Sequence, residues 1–100
     1  DIMVGYCEVV TKGKIGEVYN IGGQKIAKIG EVLEELKRQA RCPILSEVDP
    51  RLLRPSDVRI QIPDLTKIEK DTGWKAKYSF EDSIRFLLDY KREEVKQGFI

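Results

Sequence analysis

The sequence predicts an α/β fold, a small parallel sheet built on one β-α-β unit and accompanied by about four helices. Two observations point there. An apolar stripe at helical spacing, Ile29, Val32, Leu33, Leu36 and Ala40, is flanked by two short β-rich runs at 17–21 and 44–48; two strands joined through a helix run parallel, with a right-handed crossover. Both ends of the chain also repeat their apolar residues at helical rather than alternating spacing.

Taken in order, Ile2, Tyr6, Val9 and Val10, with Met3 and Cys7 alongside, recur at helical spacing and mark an opening helix that ends at Lys12-Gly13-Lys14. Glu17-Val18-Tyr19-Asn20-Ile21 is rich in β formers and closes on Gly22-Gly23, so it reads as a buried strand ending in a tight turn. The second helix follows, with Glu34 and Arg38 spaced to pair on its wet side. Pro43 blocks its continuation, and 44–48 supplies the second strand. The 49–58 segment, D-P-R-L-L-R-P-S-D-V, holds too much proline and charge for a helix or central strand and reads as a loop. Residues 59–62 are a short extended piece ending at Pro63. Asp64 is placed to cap a short helix containing Leu65 and Ile68, and Gly73 to end it in the left-handed conformation. Trp74 folds back as a core plug. Ser79-Phe80-Glu81-Asp82 resembles a capping box, and Phe80, Ile84, Leu87 and Leu88 form the buried face of a last helix running towards Gly98.

One hundred residues make one domain with a modest core. The formal net charge is +1, from 18 basic and 17 acidic side chains, so no field exists to hold nucleic acid or a membrane surface non-specifically. An anion that binds must do so at a local site. The two cysteines, Cys7 and Cys42, lack paired spacing, and with no histidine the usual inventory of a zinc site is missing. Unpaired thiols, no apolar run long enough to span a bilayer and no signal-peptide pattern place the expected location in the cytoplasm. The chain opens on Asp1 rather than methionine, directly into a helix, as a piece of a larger protein would.

The candidate binding residues are Arg54 and Asp57, either side of Pro55. A guanidinium grips phosphate oxygens through parallel N–H donors, and a carboxylate accepts hydrogen bonds from paired sugar hydroxyls, so the two together suit a nucleotide diphosphate. The simplest alternative is a surface salt bridge on a connecting loop. Gly22-Gly23 is followed by Gln24-Lys25-Ile26-Ala27 and does not form the G-x-G-x-x-G of a dinucleotide fingerprint; a plain turn is expected there. None of Tyr6, Tyr19, Tyr78 and Tyr90 is followed four residues later by lysine, so no Tyr-x-x-x-Lys acid-base pair is present and no catalytic residue is assigned.

The order E-V-Y-N-I-G-G, an amphipathic helix, D-P-R-L-L-R-P-S-D-V, I-P-D-L-T-K and T-G-W-K resembles the carboxyl-terminal part of the extended short-chain dehydrogenases/reductases that modify nucleotide sugars. The R-P-S-D-V element at 54–58 is most similar to that of the GDP-mannose 4,6-dehydratases, with the GDP-4-keto-6-deoxymannose reductases next. The resemblance covers essentially all of 1–100. It implies a fragment of the substrate-binding domain, with the Rossmann domain that binds NADP or NAD and carries the Tyr-x-x-x-Lys pair lying outside these residues. It further implies oxidation of the sugar at C4, loss of water across C5 and C6 and return of hydride to C6. Arg54 is then a pyrophosphate contact, and Asp57, where many relatives have Glu, a ribose contact. A GDP-sugar is the implied substrate and a homo-oligomer the implied state of the intact enzyme, the fragment alone being inactive. A reductase or epimerase acting on another nucleotide sugar is the nearest alternative, and a non-catalytic interaction module the alternative of another class.

Overall fold

The computed structural model describes residues 1–98. Among them are four α-helices, α1 (Ile2–Lys12), α2 (Ile29–Gln39), α3 (Thr66–Thr72) and α4 (Phe80–Lys96), with one 3-10 turn at Pro50–Leu52. The chain gathers into two compact units, one made of Asp1–Ile26 with Ile60–Tyr78, the other of Ala27–Arg59 with the chain from Ser79 on.

The expected parallel sheet does not form, and the α/β assignment is corrected to a helical one: among the described residues there is no β-strand. Residues 17–21 and 44–48 form no regular element and fall in different units, and no backbone ladder joins them. A helix closes its hydrogen bonds within its own segment, whereas a parallel strand needs a remote partner and cover on both faces. Neither segment has that cover: Val18 is 79% exposed and Leu45 97%.

In the first unit α1 packs on α3. The core is Leu65, Ile68 and Trp74, with Val9, Tyr19 and Ile21 against it. Helix α3 has only seven residues, too few to stand by propensity, and its ends are tied accordingly. Asp64 Oδ1 accepts the Thr66 N–H at 3.0 Å. At the other end Gly73 is left-handed, with φ 76°, and its N–H returns to the Glu69 carbonyl. The Thr72 hydroxyl donates to the Ile68 carbonyl at 2.7 Å and accepts the Trp74 N–H at 3.2 Å, which turns the chain back and delivers the indole to the core. Asp1 closes this unit. Its carbonyl accepts Trp74 Nε1–H, and its carboxylate accepts the backbone N–H groups of Lys77 and Tyr78.

A polar network spans the same unit. The Tyr19 hydroxyl accepts the Lys14 N–H at 2.8 Å and donates to Asp71 Oδ2 at 2.7 Å, while Lys14 Nζ stands 3.6 Å from Asp71 Oδ1. The Tyr19 hydrogen bond, supported by Lys14, holds the Asp71 carboxyl below its ordinary value. A carboxyl that binds its proton more weakly folded than unfolded contributes stability that is complete above the unfolded value, about pH 4, and is lost as pH falls through the folded one. Tyr19→Phe is therefore expected to flatten the acid limb of the stability curve, read from thermal unfolding at a series of pH values. An acid slope equal to that of the wild type would remove this role from Tyr19.

In the second unit α2 packs on α4. Lys28 has no acceptor to cap α2, so only the reverse half of a capping box operates, the Glu31 carboxylate accepting the Lys28 N–H at 2.7 Å. Ser79 Oγ accepts the Asp82 N–H at 3.0 Å and starts α4. Arg92 Nη2 donates to the Gln39 carbonyl, and Gln39 Nε2 to the Glu81 carbonyl, which ties the end of α2 to both ends of α4. Ile84 is the buried residue of α4. Leu87 and Ile29, both expected on buried faces, are exposed. No helix among the described residues is long and apolar enough to cross a membrane.

Candidate functional site

The segment bearing Arg54 and Asp57 follows the 3-10 turn of the second unit. Asp49 caps that turn and Pro50 opens it, its fixed φ suited to a first helical position. Asp49 Oδ1 accepts the Arg51 N–H at 3.0 Å and its Oδ2 accepts Arg51 Nη2 at 2.7 Å. These bonds hold the Asp49 carboxyl below its usual range, the Arg51 side chain being the larger cause and its backbone N–H the next. Leu53 is extended, Pro55 and Ser56 make a bend, and every residue from Arg51 to Ile60 is exposed.

Both candidate residues lie on the surface of this bend. Asp57 Oδ1 accepts the N–H of Val58 at 2.8 Å. That bond stiffens the bend and leaves Oδ2 without a hydrogen bond among the described residues. Arg54 has neither a hydrogen bond nor an ion pair among them. No salt bridge joins Arg54 to Asp57, so the loop does not neutralise itself; its charge-matched pair is Asp49 with Arg51 instead. The chain thus presents an unengaged guanidinium and a half-engaged carboxylate three residues apart, on a segment stiffened by Pro55. Chemically, that arrangement can offer a fork of N–H donors to an anion and one acceptor oxygen to a hydroxyl.

A groove of about 700 Å³ lies in the first unit between 20–23 and 61–64. Nothing in the sequence signals it, because it arises from two segments distant in the chain. Gly22 is pressed on Pro63 there: a Cβ at residue 22 would come within 2.9 Å of the proline Cγ. Among the described residues no group of three or more carboxylates, thiols or imidazoles could hold a metal ion.

The sequence profile of the family described as GDP-mannose 4,6 dehydratase matches residues 3–87. The chain is 33% identical over 107 residues to a dTDP-glucose 4,6-dehydratase of Escherichia coli, a match covering 90% of this chain and 28% of that protein. It is 26% identical over 97 residues to a GDP-6-deoxy-D-mannose reductase of Pseudomonas aeruginosa, covering 97% and 32%. With a UDP-glucose 4-epimerase of Bifidobacterium longum it shares 32% identity over 74 residues, covering 74% and 21%. The chain spans less than a third of the length of each of these relatives. Since the profile runs through both compact units and the loop between α2 and α3, the chain belongs to the GDP-mannose 4,6 dehydratase family, among the extended short-chain dehydrogenases/reductases that modify nucleotide sugars.

Proposed function

We propose that residues 1–100 form part of the substrate-binding domain of a nucleotide-sugar 4,6-dehydratase acting on GDP-mannose. In this reading Arg54 grips the diphosphate and Asp57 accepts from the ribose hydroxyls. One observation carries it: the R-P-S-D-V bend of a family member exposes a guanidinium that no carboxylate among the described residues neutralises. A contact to the non-reacting nucleotide half is useful because binding energy gained there can hold the sugar in position for chemistry elsewhere.

These residues do not fit the nicotinamide cofactor the family implies. Gly22-Gly23 is followed by five further residues before α2 begins at Ile29, so its turn is not the one that opens a helix. Pro63 also fills the space against Gly22. The cofactor, NADP or NAD, is therefore assigned to a part of the enzyme outside 1–100, together with the acid-base pair. The chain by itself is expected to turn over no nucleotide sugar. A cytoplasmic, homo-oligomeric enzyme completes the proposal.

In the full-length enzyme, Arg54→Ala is expected to weaken GDP-sugar binding by about tenfold to a hundredfold, the equivalent of a charge-assisted hydrogen bond of about 1.5–3 kcal/mol. Cofactor affinity should stay unchanged. Calorimetric titration with GDP-mannose and separately with the dinucleotide measures both, and equal GDP-mannose affinity before and after would sink the assignment. A second reading, reduction of a 4-keto sugar, is favoured by the Pseudomonas aeruginosa relative, whose match covers nearly all of the chain. Product analysis of the full-length enzyme separates them: a dehydratase forms a 4-keto-6-deoxy sugar from GDP-mannose with no net consumption of reduced cofactor.

A further inference from the structure

Residues 49–59 carry three arginines, and the structure sorts them. Arg51 is already engaged, its Nε, Nη2 and backbone N–H all donating to the Asp49 carboxylate. A guanidinium whose fork is filled by a carboxylate has little left to offer another anion. Arg54 and Arg59 are exposed and have no hydrogen bond or ion pair among the described residues. The one carboxylate between them, Asp57, is turned through Oδ1 to its neighbouring backbone N–H. Residues 54–59 therefore hold two unengaged guanidiniums around a single acid, a local excess of positive charge on a chain that is nearly neutral overall. Five residues apart, their Cα atoms are separated by at most about 18 Å. The bends at Pro55, Ser56 and Arg59 shorten that span, and an arginine side chain is long enough for both guanidiniums to be brought to one diphosphate.

A diphosphate differs from a monophosphate in offering two phosphoryl groups, each with oxygens that a guanidinium can take in parallel N–H bonds. Arg59 lies just beyond the R-P-S-D-V element that holds Arg54 and Asp57, and its role comes from its position and lack of a partner alone. Resting on the nucleotide-binding reading of this loop, we propose that Arg59 is a second diphosphate anchor, so that Arg54 and Arg59 each take one phosphoryl group and the loop selects nucleoside diphosphates over monophosphates.

The test titrates the full-length enzyme with GDP and with GMP at low ionic strength, as wild type and as R54A, R59A and R41A. Arg41 is an exposed arginine of the same unit outside 49–59, so R41A matches the change in charge. R59A is expected to weaken GDP about tenfold while GMP changes by less than about twofold. R41A should alter neither, and R59K should recover only part of the loss, an ammonium being a point charge without the fork. If R54A weakens GDP and R59A behaves like R41A, the second anchor is overturned while the nucleotide reading stands. Equal losses for GDP and GMP in R59A also overturn it, since Arg59 would then act only through its general field. If the wild type does not bind GDP, or R54A binds it as the wild type does, the nucleotide reading itself fails.

Discussion

Replacing Trp74 with alanine is expected to unfold the first unit. The indole is 4% exposed, sits with Leu65 and Ile68 and is flanked by Val9, Tyr19 and Ile21. Truncating a buried tryptophan costs about 3–5 kcal/mol through lost transfer energy and the cavity left behind. A small domain has about 5–15 kcal/mol in all. The indole also works at its edge, where Nε1–H donates to the Asp1 carbonyl at 3.2 Å; alanine leaves that oxygen to other partners and loosens the start of α1. Room for a substitute is absent on the α1 side, since a Cβ at Gly5 would already lie 3.2 Å from Trp74 Cε2. Urea unfolding followed by circular dichroism should show a lower midpoint for Trp74→Ala, with Trp74→Phe intermediate. A stability for the alanine variant within about 0.5 kcal/mol of the wild type, the range of ordinary surface changes, would show that the indole does not hold this unit.

Trp74 is legible in the sequence for the same reason that the helices are. Apolar spacing, the Ser79 cap and a glycine after α3 are local signals, each decided within a turn or two of chain, and the structure uses them where they stand. The strands are not legible in the same way. Val18-Tyr19 and Ile44-Leu45 have β composition, but composition sets only a preference, and a ladder needs a neighbour that neither segment finds among the described residues. Ion pairing on α2 shows the same limit at smaller scale. Spacing suggests Glu34 with Arg38, yet Arg38 donates through Nε and Nη2 to both oxygens of Glu35, and Lys37 takes Glu34. Residues three and four apart are both neighbours on a helix, so spacing alone cannot choose. Gln39 Nε2 donates to the same Glu35 carboxylate, so that acid is held from two sides. In the loop, the chemistry of Arg54 and Asp57 can be read from residue type. Which arginine stays unengaged cannot, because it depends on Asp49 turning back to cap Pro50–Leu52 and capturing Arg51 on the way.

Ile68→Ala tests how far the short helix depends on burial. Ile68 is 0% exposed, the one fully buried large side chain among the described residues. Its removal is expected to cost about 2–5 kcal/mol, against about 0.5–1.5 kcal/mol for Ile68→Val. The loss should concentrate in α3, because seven residues cannot sustain a helix in water without an apolar face to bury. Amide hydrogen exchange resolves this: protection in α3 should fall in Ile68→Ala by more than in Ile68→Val. The consequence reaches beyond the helix. Asp71 accepts from Tyr19, Thr72 accepts from Trp74, and Gly73 turns the chain, so all three depend on α3 keeping its register. If α3 amides keep wild-type protection in Ile68→Ala, the order of this unit comes from that polar network instead, and its apolar core contributes less than its burial implies.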